Sequence, residues 1–159
     1  MGNYITGADR LAIKHWIPRL TRHGIGIKAT LEALDLPYPY IGAGKSRMVF
    51  DLDEKHVLKI AYKKAALNTN DREVRLYQNV PSKLRKYLST IKDYGDGWIV
   101  MEKWELPVPK SIEKKKLPGL KKKFAGEGFR LTDAGRKNIR WNPKKDRIVM
   151  IDYANYECK

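Results

Sequence analysis

The chain has 159 residues and is 42% hydrophobic, one domain's worth of sequence with enough apolar surface to fold without disulfides or structural metals. No apolar run approaches the ~20 residues of a membrane span, Met1–Tyr4 leads into no apolar signal core, and one cysteine (Cys158) with three scattered histidines excludes a disulfide framework or a Cys/His metal cluster. Thirty-three Lys and Arg against eighteen Asp and Glu give +15, and residues 110–147 alone hold fourteen basic and four acidic groups, a field that draws nucleic acid, nucleotides or acidic proteins unless it is simply a solvated lysine face.

Leu11, Ile13, Trp16, Ile17 and Leu20 recur at helical spacing, with Asp9 at a first-turn position and His23-Gly24 as the stop. Pro18 inside that pattern predicts a kink or two short helices. A second short helix is predicted over Lys28 to Leu34, ended by Pro37 and Pro39. The pair reads as a helical cap packed on the next domain or as a helix-turn-helix DNA reader.

From Tyr40 the texture becomes that of short strands. Met48–Leu52 and His56–Ala61 flank Asp53-Glu54-Lys55 and predict a hairpin. A helix is predicted from Asp71 to Val80, with Asp71 as its cap. Thr90–Tyr94 and Trp98–Glu102 around Gly95-Asp96-Gly97 predict a second hairpin. Pro107, Pro109 and the lysines after them read as a linker, and Leu117–Ala125 as a short basic helix. Phe129–Asp133 is a short apolar run ending in an acid. Ile139–Trp141 and Arg147–Ile151 predict a last hairpin.

Certain residues in this frame suit chemistry. Gly42 and Gly44 make a Gly-x-Gly turn entering a strand, where backbone can approach a phosphate closely, although a plain turn explains it equally. Gly44-Lys45-Ser46 is not a Walker A loop, because its first glycine is missing and a strand comes next. Lys59 interrupts the apolar run Val57-Leu58-Lys59-Ile60-Ala61, so it faces either an anion or, at a sheet edge, water. Glu73, on the next helix, is a plausible ion partner or a surface acid. Asp133 and Asn138 lie five apart in a loop, and Asp152 ends the next hairpin fourteen residues later. An acid to orient a hydroxyl, with an amide and a second acid to hold a metal, is what phosphoryl transfer requires.

Together these segments resemble the protein kinase superfamily in an abbreviated form, of the kind found in small bacteriophage and prokaryotic kinase-like proteins. Gly42-x-Gly44 with Val49 resembles the glycine-rich loop, Val57–Ile60 the strand bearing the phosphate-binding lysine, and Glu73 its helical partner. Trp98–Glu102 is similar to the strand entering the hinge, which places Met101 and Glu102 at the nucleotide base. Asp133–Asn138 resembles the catalytic loop, and Asp152-Tyr153-Ala154 the metal-binding motif. The resemblance implies an α+β fold: a small antiparallel N-lobe sheet with one helix (40–104), a severely shortened C-terminal lobe (105–159) and an N-terminal helical extension (1–39). Departures accompany it. Leu131-Thr132-Asp133 stands where the family has His-Arg-Asp, Arg47 where the loop has a third glycine, and Ala154 where the metal motif has a glycine. With seven residues after Asp152, no activation segment or peptide platform is expected.

The function implied is ATP- and Mg2+-dependent phosphotransfer, with Lys59 on the phosphates, Glu73 holding Lys59, Asp133 orienting the acceptor hydroxyl, and Asn138 and Asp152 on the metal. A Ser/Thr-type kinase acting on an acidic or host partner is expected, in the cytoplasm (the host's, for a phage-encoded chain). The competing expectation is an idle kinase-like module that binds nucleic acid or an acidic protein through 110–147. A DNA-binding regulator built on the N-terminal helices ranks third.

Overall fold

The computed structural model describes residues 4–159; residues 1–3, part of the segment read as carrying no signal core, lie outside the described part. In chain order the elements are α1 (Gly7–His23), α2 (Ile27–Leu34), β1 (Tyr40–Ala43), β2 (Arg47–Asp51), β3 (His56–Ala61), α3 (Lys64–Asn79), α4 (Ser82–Arg85), β4 (Ile91–Gly95) and β5 (Trp98–Glu102). Next come α5 (Lys110–Gly126), β6 (Phe129–Leu131), a 3-10 turn (Arg136–Asn138), β7 (Ile139–Asn142), β8 (Arg147–Met150) and β9 (Tyr156–Cys158). The chain forms two compact units. One runs to Asp71 and adds Ile91–Lys103; the other comprises Arg72–Thr90 and Trp104–Lys159.

The first unit is an antiparallel five-stranded sheet in the order β1-β2-β3-β5-β4, with α1 and α2 packed on one face. That face carries Met48, Phe50, Leu58, Ile60, Trp98 and Val100, and it buries Ile13, Ile17, Leu20 and Leu34 from the helices. Both hairpins expected from the sequence form, β2–β3 and β4–β5. Gly97 must be glycine. Its φ is +83°, and a Cβ there would sit 2.8 Å from Ile17 Cγ2.

The start of α1 is built from side chains. Thr6 accepts the Asp9 N–H at 3.0 Å and Asp9 accepts the Thr6 N–H at 3.3 Å, a reciprocal capping box. Buried Asp9 also accepts the Tyr38 hydroxyl. Arg10 reaches back to Asp93 of β4 at 2.6 Å and lies 5.4 Å from the centre of the Trp98 ring, which ties the helix to the sheet. Of the two outcomes expected at Pro18, two short helices do not form: α1 continues through it to a left-handed Gly24 cap. Ile13, Ile17 and Leu20 bury one stripe on both sides of the proline, so packing outweighs one missing amide hydrogen bond.

Two further expectations are corrected. α3 starts at Lys64, not at Asp71, which sits exposed in mid-helix. Ala66 and Asn70 are buried one turn apart, so the first two turns carry an inward face that Val74 and Tyr77 alone did not reveal. The lysines after Pro109 are not a linker but the first turns of α5, whose N-cap position Pro109 holds with φ −58°. Its inward stripe is short (Leu117, Leu120, Phe124), so the N-terminal half shows little apolar period.

The second unit contains two short ladders. β7 pairs antiparallel with β8, as expected, and β6 pairs antiparallel with β9, which the sequence did not suggest. Segment 87–89 lies along β8, with Met150 N–H donating to the Tyr87 carbonyl and Ser89 N–H to the Met150 carbonyl, both at 2.8 Å. Among the described residues no helix is long and apolar enough to cross a membrane.

Candidate phosphotransfer site

In the first unit, the candidate residues stand on the sheet. β1 runs into a tight turn that the Gly44 N–H closes by donating to the Arg47 carbonyl at 2.9 Å. Tyr62 pins this turn. Its hydroxyl donates to the Gly44 carbonyl at 3.0 Å, and its N–H donates to the Ser46 carbonyl at 3.0 Å. A Cβ on Gly42 or Gly44 would meet nothing within 4 Å, and neither residue has a positive φ. Neither packing nor backbone strain therefore demands these glycines, whereas close approach of a ligand would. Gly44's own N–H is already used inside the turn, so its contribution is clearance and not a hydrogen bond. Arg47, at the third-glycine position, donates to the Asn70 side chain at 3.1 Å and joins β2 to α3.

Strand alternation decides where Lys59 points. It lies directly opposite Val49 on β2 and Ile99 on β5, and Val57 lies opposite Met101. Lys59, Val49, Val57, Ile99 and Met101 consequently share the sheet face that α1 and α2 do not cover. Lys59 is 4% exposed and Met101 fully buried, so the Lys59 ammonium lies on a part of this face that is shielded from water. Glu102, one residue on, turns to the other face and pairs with Lys92 at 3.5 Å. Lys103 next pairs with Asp51 at 3.1 Å; that hydrogen bond holds the Asp51 carboxyl below its ordinary value.

In the second unit, the candidate residues stand on loops held by the ladders. The loop 132–138 connects β6 to β7, and the loop 151–155 connects β8 to β9. Because β7 pairs with β8 and β6 with β9, both ends of the two loops are fixed side by side. This brings the loops within bonding reach of each other. Asn138 donates from its side-chain nitrogen to the Asp133 carbonyl at 2.7 Å, and the Ile151 N–H donates to the Asn138 carbonyl at 2.9 Å. The Thr132 N–H donates to the Asn155 carbonyl at 3.1 Å, and the Asn155 side chain donates to Asp133 Oδ2 at 3.2 Å. Only nitrogen can donate to a carbonyl, so the Asn138 amide is oriented unambiguously, with its oxygen on the other prong.

Glu73 is fully buried and accepts the Tyr153 N–H at 3.2 Å, immediately after Asp152. Its helical neighbour Arg72 donates from Nε to the Ala154 carbonyl at 2.9 Å and from Nη2 to the Tyr156 carbonyl, and stacks 4.3 Å from the centre of the Tyr156 ring. Tyr156 returns its hydroxyl to the Arg72 carbonyl at 3.0 Å, and Tyr153 donates its hydroxyl to the Ser89 carbonyl at 2.9 Å. The segment after Asp152 is thus fastened from residue 153 to residue 156.

The loop carboxylate Asp133 is exposed, Asn138 is buried and Asp152 is half-buried. An exposed acid can meet an incoming hydroxyl, and amide and carboxylate oxygens are the donor types a hard cation takes. Among the described residues no three His, Cys, Asp or Glu side chains gather to hold a metal alone. A magnesium ion that takes one or two protein oxygens and completes its shell with phosphates and water fits this donor set. Sequence reasoning missed Tyr62, Arg72, Asn155 and Tyr156. Arg72 stands beside Glu73 and Tyr62 directly follows β3, but their bonds to distant carbonyls leave no local pattern.

No protein-family model and no curated protein sequence matches the chain. Solved structures do. The bifunctional kinase-methyltransferase WbdD superposes with a TM-score of 0.53 at 16% identity, covering 72% of this chain and 30% of that one. The Legionella pneumophila Lpg2603 kinase, in a structure bound to IP6, superposes with a TM-score of 0.52 at 15% identity, covering 76% and 49%. The chain has a protein kinase-like fold. It spans between about a third and a half of the length of these kinase structures.

Proposed function

We propose that this kinase-like chain is an ATP- and Mg2+-dependent phosphotransferase. The observation that carries the reading is the cross-bonded pair of loops: Asn138 holds the Asp133 carbonyl, and the Ile151 N–H holds Asn138 just before Asp152. These bonds fix the two loops against each other, and positioning is most of what phosphoryl transfer asks of a protein. Asp133 orients the acceptor hydroxyl and takes its proton. Asn138 Oδ1 and the Asp152 carboxylate would hold a magnesium ion, which would supply charge neutralisation at the phosphates. Lys59 serves the nucleotide phosphates from its shielded position, while Gly42 and Gly44 leave room for them. Met101 offers an apolar wall to the base, and Glu102 its backbone. Glu73 steadies Lys59 in this reading and also holds the Tyr153 N–H.

The acceptor we favour is a Ser/Thr hydroxyl on an acidic partner, because Lys114, Lys121 and Lys122 are exposed along α5. The same lysines favour a second reading, an idle module that binds nucleic acid or an acidic protein.

Thermal melting with and without Mg-ATP tests the choice. Ligand at about 100 times its dissociation constant adds roughly 2.7 kcal/mol, a rise on the order of 5–10 °C at this size. The rise should require magnesium and disappear in Asp152→Asn. No rise in the wild type removes the kinase chemistry. Steeply salt-dependent oligonucleotide binding would then support the second reading.

A further inference from the structure

The basic segment is not uniformly solvated. α5, residue Tyr87 and the start of β8 enclose a cleft of about 250 Å³ lined by Lys115, Lys116, Lys123 and Arg147. An adjoining concavity shares Tyr87 and Lys123 and adds Lys83 and Lys86. Six basic side chains thus meet two acids, Asp146 and Glu127, and no third carboxylate lines either hollow. Both acids are already paired, Asp146 with Lys116 at 3.0 Å and Glu127 with Lys83 at 2.6 Å.

The floor of the cleft carries a sharper signal. Arg147 Nε is buried and meets no hydrogen-bond acceptor. A buried charged donor left without an acceptor is costly, more so among other cations. Tyr87 stands at the centre. Its hydroxyl accepts from Lys123 Nζ at 2.9 Å, and the Lys86 and Lys123 ammonium groups lie 5.3 and 5.1 Å from the centre of its ring. The Lys123 hydrogen bond, reinforced by the fields of Lys86 and Arg147, holds the phenol below its ordinary pKa. Lys86, Lys123 and Arg147 therefore share the neighbourhood of the Tyr87 ring. Lys121 and Lys122, on the same helix, are exposed and line neither hollow.

We propose that this cleft is a binding site for a compact polyphosphate, a small molecule bearing two or more neighbouring phosphates, held by Lys115, Lys123 and the Arg147 guanidinium. An extended nucleic-acid strand needs cations spaced along a track, whereas here they surround one small volume. The site lies wholly within the second unit and uses none of the residues assigned to phosphotransfer.

Calorimetric titration of the full chain with sodium tripolyphosphate, without magnesium, tests it. Saturable binding of one equivalent is expected. Lys115→Gln with Lys123→Gln should weaken it at least tenfold, and so should Arg147→Gln. Lys121→Gln with Lys122→Gln removes the same charge and should change it less than twofold, with circular dichroism confirming that every variant is folded. Binding retained in Lys59→Met keeps the anion in the cleft; binding lost there assigns it to the nucleotide site and overturns the proposal. So do equal losses in both double variants, an absence of binding, or a short oligonucleotide that binds where tripolyphosphate does not.

Discussion

The two compact units hold their candidate residues by different means. In the first, Lys59 and Met101 sit on strands, and the two-residue alternation of the sheet sends both to one face. In the second, Asp133, Asn138 and Asp152 sit in loops whose course is set by two ladders and by clamps from Arg72, Tyr153 and Asn155. The sheet positions its side chains by a repeating geometry, so the loss of one neighbour is shared by many contacts. The loops depend on a few named hydrogen bonds, so single substitutions should matter more there.

The largest effect should therefore come from Arg72→Ala. It removes two charge-assisted bonds to carbonyls and the stacking on Tyr156, about 3 kcal/mol together. We expect melting to fall by roughly 6–12 °C, and any Mg-ATP stabilisation to fall with it. A change below ~1 °C would mean that the loops hold themselves.

In the first unit Arg10 ties α1 to Asp93, which is 5% exposed. Arg10→Ala leaves that carboxylate with only the Tyr94 N–H at 2.9 Å. Because Arg10 is itself partly exposed, the expected loss is about 2 kcal/mol, or roughly 4–8 °C. Hydrogen exchange should loosen α1 while leaving β7 and β8 protected. Loosening of both regions alike would contradict the contrast between the units.

Tyr62→Phe is a smaller change. It deletes the hydroxyl bond to the glycine turn, about 1 kcal/mol, or roughly 2–4 °C. The proposed nucleotide site predicts a larger consequence for Mg-ATP affinity than for melting. If affinity is untouched, the turn does not serve the ligand.

The smallest effect is confined to alkaline pH. Burial, with the Asp9 hydrogen bond and charge adding to it, pushes the Tyr38 hydroxyl from 10.0 up to about 12. A pKa raised on folding gives stability that is complete below about pH 10 and is lost as pH rises toward about 12. Wild type should thus lose melting temperature faster than Tyr38→Phe across that window. Parallel curves would remove Tyr38 as the source.

Much of the first unit was legible because its signals are local. Short apolar runs over His56–Ala61 and Trp98–Glu102 mark strands, and Gly95 and Gly97 mark the turn between β4 and β5. The starts of α3 and α5 were not legible, since the inward face of α3 passes through the polar Asn70 and the inward stripe of α5 begins only at Leu117. β9 escaped for a related reason: three residues, two of them exposed, carry no pattern, and only pairing with β6 makes them a strand.

The sequence by itself determined the order of the elements and the chemical types at the candidate positions, because spacing and residue type are properties of the chain. Tertiary structure decided which atoms meet. Arg72 reaches carbonyls more than eighty positions away, Tyr62 closes a turn that precedes it, and Arg147 Nε lies buried among lysines that composition shows only as surplus charge. Hydrogen bonds to backbone carbonyls carry no residue code at the accepting end, since every residue offers the same group. Only the folded path of the chain selects which carbonyl is used.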